Sequence, residues 1–231
     1  MSWLQHIFFD LDHTLWDYDR NSVEALEKLY LQFDLATLGL FPLERFLGSF
    51  KTANLQVWDL FDENRMNSNA LRHKRLELVF QDFDLPALEI DGFHEAYYEN
   101  CSTGLHLIPG ALDLLVLLSQ SYQLHIITNG FDNSQFNKLR FTGLDRFFET
   151  ITTSEAANSK KPDSSYFEFA LKRANASRFN SLVIGDGLRT DVAGALNFGL
   201  PVIWFNPEGK ETDLQPWAQV KELREIATFL L

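Results

Sequence analysis

Asp10 and Asp12 stand one residue apart at the end of the apolar run Ile7-Phe8-Phe9, and their carboxylates suit phosphoryl chemistry. A carboxylate can attack phosphorus and carry the phosphoryl group covalently, which splits a hydrolysis into two easier steps. A second carboxylate beside it can protonate a leaving alkoxide and later take a proton from water. Attack of one anion on another is unfavourable, so this chemistry needs a cation such as Mg²⁺ to neutralise and orient the phosphoryl oxygens. Spacing alone does not settle the geometry, because the strand is ending there. For an isolated Asp-x-Asp pair, a solvated turn or helix cap is the plainer reading.

Three later stretches supply what such a site lacks. Thr128-Asn129-Gly130 offers a hydroxyl and backbone N–H groups in a tight turn that could bind phosphate oxygens, although a plain strand-to-helix turn also explains it. Lys160-Lys161-Pro162 brings an ammonium just ahead of a helix. Lys161 is the candidate to tie nucleophile to phosphate, one of the two lysines is expected to be an ordinary surface cation, and the role of Lys160 stays open. Asp186 and Asp191 flank Gly187-Leu188-Arg189-Thr190, and hard carboxylate oxygens are what Mg²⁺ selects. Asp186 is the expected metal ligand. Asp191 supports it by holding Lys161 or a metal-bound water, or else caps the following helix.

Strands alternating with helices must position these groups. A strand at Ile7–Phe9 leads to a helix opened by a capping box of Asn21 and Glu24. Helical periodicity then persists to Cys101, in segments around Phe46–Leu60, Ala70–Asp82 and Asp91–Glu99. Beyond Pro109-Gly110 come a helix (Ala111–Ser119), a strand (Leu124–Thr128), a helix near Asn133–Phe141 and a strand near Thr150–Thr153. A helix with Pro162 in its first turn follows, then a strand at Leu182–Gly185, a helix at Asp191–Asn197, a strand at Val202–Phe205 and a last helix at Gln219–Phe229. The pattern implies an α/β fold with a parallel sheet covered on both faces. Ligands of such sheets sit beyond the carboxyl ends of the strands, where Asp10, Thr128 and Asp186 fall.

Composition narrows the partners. A net charge of −12 over 231 residues argues against nucleic acid polymers and anionic membrane surfaces. No apolar run approaches the roughly 18 residues of a membrane span, and no secretory signal is expected at the amino terminus. The single Cys101 agrees with a reducing, cytoplasmic setting. The same negative field repels a phosphorylated metabolite, so a phosphate site needs a local cation. Oligomeric state is not legible.

Taken together and in this order, the four stretches resemble the haloacid dehalogenase superfamily of phosphohydrolases, from Ile7 to about Phe205. The resemblance implies a Rossmann-like parallel-sheet core (residues 1–15 and 102–231) with an inserted helical cap (16–101). It implies Asp10 as nucleophile, Asp12 as acid and base, and Thr128 and Lys161 as phosphate binders. Mg²⁺ would be held by Asp10, the backbone carbonyl of Asp12, and Asp186. Members that displace halide lack the second aspartate, so Asp12 favours a phosphatase. Phe8-Phe9-Asp10-Leu11-Asp12-His13-Thr14-Leu15 and Ile126-Ile127-Thr128-Asn129-Gly130-Phe131 look like the nucleoside 5′-monophosphate phosphatase branch. A phosphatase for phosphoglycolate or small sugar phosphates is the alternative, and a catalytically silent phosphate-binding protein is a third reading from another class. His13 replaces the Asp or Gly of many relatives, with its side chain expected to point away. Ala157-Asn158-Ser159 replaces a glycine-containing approach to the lysine. In the cap, Trp16, Trp58, Phe61, Tyr97 and Tyr98 could stack a base, and Arg72 and Arg75 could contact sugar or phosphate; core packing and a solvated helix face explain them as readily.

Overall fold

Short apolar runs bounded by turn residues become the strands of one parallel sheet. The computed structural model describes residues 3–231, the side chain of Arg72 excepted. In chain order the elements are β1 (His6–Phe9), α1 (Tyr18–Gln32), α2 (Leu43–Asp62), α3 (Ser68–Asp82), α4 (Phe93–Ser102) and α5 (Ala111–Leu118). Then come β2 (Gln123–Ile127), α6 (Asp132–Thr142), β3 (Phe148–Thr152), α7 (Ser154–Ala157), α8 (Ser164–Arg173) and β4 (Ser181–Gly185). The chain closes with α9 (Gly194–Phe198), β5 (Val202–Phe205), β6 (Ala218–Val220) and α10 (Ile226–Leu230).

The strands lie in the order β3-β2-β1-β4-β5-β6, all pairs parallel. β1, β4 and β5 are buried at every position, as strands covered on both faces must be. Ile7 sits opposite Leu124 on one side and Leu182 on the other, and β1 and β4 are the two central strands. From β1 the order runs to β2 and β3 one way and to β4, β5 and β6 the other. This reversal opens a crevice at the carboxyl ends of β1 and β4. Phe8, Ile127, Tyr166, Phe167, Val183 and Trp204 belong to one buried apolar cluster of this unit.

The chain divides into two compact units, one holding the chain up to Tyr18 with Leu105–Leu231, the other Asp19–Gly104. The second unit is helical and packs through aromatic side chains, with Phe50 and Tyr97 ring centroids 4.9 Å apart and Tyr30 and Phe46 5.6 Å apart. No helix of the described residues is long and apolar enough to cross a membrane.

Four local expectations need correction. Asn21 does not open a helix: α1 already starts at Tyr18, and Asn21 is buried inside it, packed so closely on Gly104 that a Cβ there would collide with its side chain. Pro162 precedes its helix, because Asp163 takes an extended N-cap conformation and α8 begins at Ser164. Asp191 does not cap a helix; it lies within a π-helical turn, Leu188–Ala193, in which the Val192 N–H donates to the Gly187 carbonyl at 3.0 Å. The last predicted helix is a strand and a shorter helix. Ala218–Val220 pairs with β5, and three residues are too few to show a two-residue period against a helical background.

Candidate active site

Asp10 follows β1 directly, and its N–H donates to the Ile184 carbonyl of β4 at 2.8 Å, which anchors it at the crevice. Its Oδ1 accepts from Lys161 Nζ at 2.6 Å. The same ammonium reaches Asp191 Oδ1 at 2.6 Å and the Ile127 carbonyl at 3.0 Å, so all three of its protons are directed. Lys161 is only 2% exposed. Burial alone would lower its pKa, but the Asp10 and Asp191 carboxylates hold it well above the ordinary lysine value.

Asp186 follows β4 and is fixed from two sides. Thr14 Oγ1 donates to its Oδ1 at 3.0 Å while its own N–H returns to Thr14 Oγ1 at 3.1 Å. Trp204 Nε1 on β5 donates to its carbonyl at 2.9 Å. Asp191 accepts the Gly187 N–H at 3.0 Å through its second oxygen, so the π turn folds it back onto its own loop and onto Lys161. Gly185 must lack a side chain here, since a Cβ would press into the Asp191 carboxylate.

Asp12 is held by residues that motif reading did not single out. Lys138 Nζ on α6 lies 2.6 and 2.8 Å from its two oxygens, and Gln135 Nε2 donates at 2.9 Å. Burial alone would raise the Asp12 pKa, but Lys138 and Gln135 bring it below the usual carboxylate range. The Lys138 ammonium also sits 4.5 Å from the Trp16 ring centroid, which makes Trp16 a fully buried floor for this cation. The only sequence signal for these two side chains is their three-residue spacing on one helix.

Thr128 follows β2 and is buried; its Oγ1 accepts the Gly130 N–H at 3.0 Å. The Asn129 side chain is spent on the lysine loop: Oδ1 accepts from the Lys161 N–H at 2.8 Å and Nδ2 donates to the Lys161 carbonyl at 2.9 Å. The Tyr166 hydroxyl, on α8, accepts the Thr128 N–H at 2.7 Å and donates to the Thr152 carbonyl at 2.7 Å, and so ties the Thr128 turn to the end of β3. Lys160 is not a surface cation; it too is buried, 8% exposed. His13 takes φ +64°, the left-handed region that favours Gly, Asn or Asp, and its ring packs on Tyr18 at 5.2 Å. Asn158 takes φ +47° at the carboxyl end of α7, so this loop keeps a glycine-like backbone without glycine.

Of the aromatic candidates, Phe61 and Tyr97 are buried in the helical unit, while Trp58 and Tyr98 are partly exposed. Arg75 is buried there, its guanidinium 5.1 Å from the Tyr97 centroid; the Arg72 side chain lies outside the described residues.

The electrostatics are unbalanced. Burial pushes Asp10 up to about 7, with Asp191 adding to the rise and Lys161 opposing it. Burial and the Asp10 carboxylate push Asp186 up to about 6. Asp10, Asp186 and Asp191 present carboxylate oxygens within 4.8 Å of one another, and a single ammonium is shared by two of them. Clustered hard oxygens carrying surplus negative charge in a buried site fit a divalent cation such as Mg²⁺.

The model of a family described as haloacid dehalogenase-like hydrolase matches residues 7–205. The chain is 30% identical to the HAD-hydrolase YfnB of Bacillus subtilis (strain 168), over 97% of this chain and 94% of that one. A crystal structure of YfnB bound to magnesium matches with a TM-score of 0.86, 30% identity and 98% of both chains covered. The chain is also 30% identical to the pyrimidine 5′-nucleotidase YjjG of Escherichia coli (strain K12), over 100% of this chain and 99% of that one. To the glyceraldehyde 3-phosphate phosphatase of Pyrococcus abyssi (strain GE5 / Orsay) it is 32% identical, over 86% and 80%.

Proposed function

The chain belongs to the haloacid dehalogenase-like hydrolase family, and from that premise we propose that it is a Mg²⁺-dependent phosphatase of nucleoside 5′-monophosphates working through an aspartyl-phosphate on Asp10. One observation carries the reading: the buried Asp10 sits at the strand crossover with one oxygen fixed by Lys161 at 2.6 Å, beside the half-buried carboxylate of Asp186. In this reading residues 1–15 and 102–231 are the catalytic core, and 16–101 are the cap that selects the leaving group. The lone, buried Cys101 suits work in a reducing cytoplasm.

Asp10, Asp186 and the backbone carbonyl of Asp12 would hold the metal. Mg²⁺ bound there would neutralise the phosphoryl oxygens so that an anionic nucleophile can approach. The Asp10 oxygen then forms a bond to phosphorus as the ester P–O bond breaks, and the leaving alkoxide takes a proton from Asp12. In the second step water attacks the phosphoryl group and gives its proton to Asp12, releasing Asp10 and inorganic phosphate. Lys161, the Thr128 hydroxyl and the Asn129 N–H would steady the phosphoryl oxygens, and Asp191 keeps Lys161 in place. Lys138 holds Asp12 ionised, the form that accepts the proton from water. Donation in the first step requires Lys138 and Gln135 to release that carboxylate.

The nucleotide preference is supported by full-length similarity to a pyrimidine 5′-nucleotidase. Comparable identity to a glyceraldehyde 3-phosphate phosphatase favours a second reading, a phosphatase of small sugar phosphates. Phosphate release with Mg²⁺ across nucleoside 5′-monophosphates, glyceraldehyde 3-phosphate and phosphoglycolate separates them. The highest kcat/KM is expected for a nucleoside monophosphate; a higher value for either of the other two replaces the first reading. No release from any of these or from an aryl phosphate would leave a phosphate-binding protein.

A further inference from the structure

Away from the crevice, the helical unit brings two imidazoles onto one carboxylate. His73 lies on α3, His94 on α4, and Glu89 in the loop that enters α4. Glu89 Oε1 is 3.0 Å from His73 Nδ1, and its Oε2 is 3.7 Å from His94 Nε2. One ligand atom from each residue lies within 4.8 Å of the others, and the two rings meet edge to face with centroids 5.1 Å apart.

We propose that His73, Glu89 and His94 form a transition-metal site that takes a Zn²⁺-like dication and ties α3 to the start of α4. Three arguments support it. The donor set is right: two imidazole nitrogens and one carboxylate are ligands for Zn²⁺, whereas Mg²⁺ prefers oxygen and water. The Glu89 oxygens lie 3.0 and 3.7 Å from the two imidazole nitrogens, on either side of the roughly 3.3 Å that separates ligand atoms of a tetrahedral site with bonds of about 2.0–2.1 Å. The third argument is the state of His94. Its Nε2 is buried and, among the described residues, has no hydrogen-bond partner, although a buried imidazole nitrogen should have one. A metal ion would satisfy that nitrogen. Burial already favours the neutral ring that a metal requires. Arg75 repels a cation from this side, but Glu95 acts on the same ring with the opposite sign, and Glu89 supplies the negative ligand. His73 and Glu89 are exposed, so an ion can enter from solvent and complete its coordination with water.

The test is calorimetric titration of the full chain, stripped of metals, with Zn²⁺ in excess Mg²⁺ so that the carboxylate site is occupied. One Zn²⁺ equivalent is expected. Affinity should fall roughly tenfold or more in His73→Ala, Glu89→Gln and His94→Ala, and stay unchanged in Asp186→Asn. His73→Ala and Glu89→Gln replace exposed side chains, so the result does not depend on His94→Ala folding. Zn²⁺ should also raise the Tm of the wild type and not that of His73→Ala. Absence of Mg²⁺-resistant Zn²⁺ binding, or full affinity in His73→Ala and Glu89→Gln, overturns the site. Loss of binding in Asp186→Asn alone would place the ion on the carboxylates and overturn it equally.

Discussion

At the residue scale, Lys161 explains how a site with so much negative charge holds together. Its ammonium bonds Asp10 and Asp191 at 2.6 Å each, and Asp186 stands beside them with its pKa pushed up to about 6 by burial and by Asp10. Asp10→Asn keeps an oxygen for Lys161 but removes both the proposed nucleophile and one buried charge. Turnover should fall by ~10⁴-fold or more, while Tm holds or rises. Steady-state phosphate release together with thermal denaturation checks both halves, and a near-wild-type rate would remove Asp10 as nucleophile. Asp10 and Asp186 could be singled out because each directly follows a strand, and Lys161 because a lysine pair stands before Pro162 at the approach to a helix. Lys138 and Gln135 were not. They lie more than a hundred residues from Asp12 on an ordinary amphipathic helix, and only the packing of α6 aims them at it.

At the element scale, Asn158 ends α7 in the left-handed region, where most side chains clash with their own backbone. Asn158→Gly should change stability by no more than about 0.5 kcal/mol, whereas Asn158→Val should cost about 1–2 kcal/mol in urea unfolding. Equal effects of the two would show that the loop does not need that conformation. The strands carry a separate prediction. His6 of β1 and His125 of β2 are buried side by side, with His6 Nδ1 3.1 Å from His125 Nε2 and His125 Nδ1 3.0 Å from Thr150 Oγ1. Burial, with His6 adding, pushes His125 down to about 4. Above the ordinary histidine value of about 6.5 the ring is neutral in both folded and unfolded chains. Between there and about 4 only the unfolded chain takes the proton, so stability is lost as pH falls through this window. Relative to His125→Asn, the wild type should therefore lose Tm from pH 6.5 to 4. A constant difference would refute the linkage. Periodicity found most elements but missed β6 and the π turn, because a three-residue strand and a single irregular turn leave too few residues to show a repeat.

At the scale of the whole molecule, charge decides how the site can work. The chain carries a net −12, and the crevice adds buried carboxylates in excess of the Lys161 ammonium they surround. A phosphorylated substrate is repelled unless a cation offsets both. Chelation with EDTA should therefore abolish turnover and excess Mg²⁺ restore it. Mg²⁺ should also raise the Tm, since an ion bound only by the folded state stabilises it by mass action. Activity that survives exhaustive chelation would remove the metal from the mechanism. By itself the sequence determined the α/β class, the strand-end positions of Asp10, Thr128 and Asp186, and the helical character of the stretch between the first two motifs. Those features follow from local periodicity and from turn chemistry, which neighbouring residues carry. Only the tertiary structure decided that Asn129 is spent on the Lys161 backbone, that Lys160 is buried, that Asp191 folds back through a π turn, and that Lys138 holds Asp12. Each of these joins or buries groups supplied by different elements, and no local pattern encodes which distant partner satisfies a buried charge.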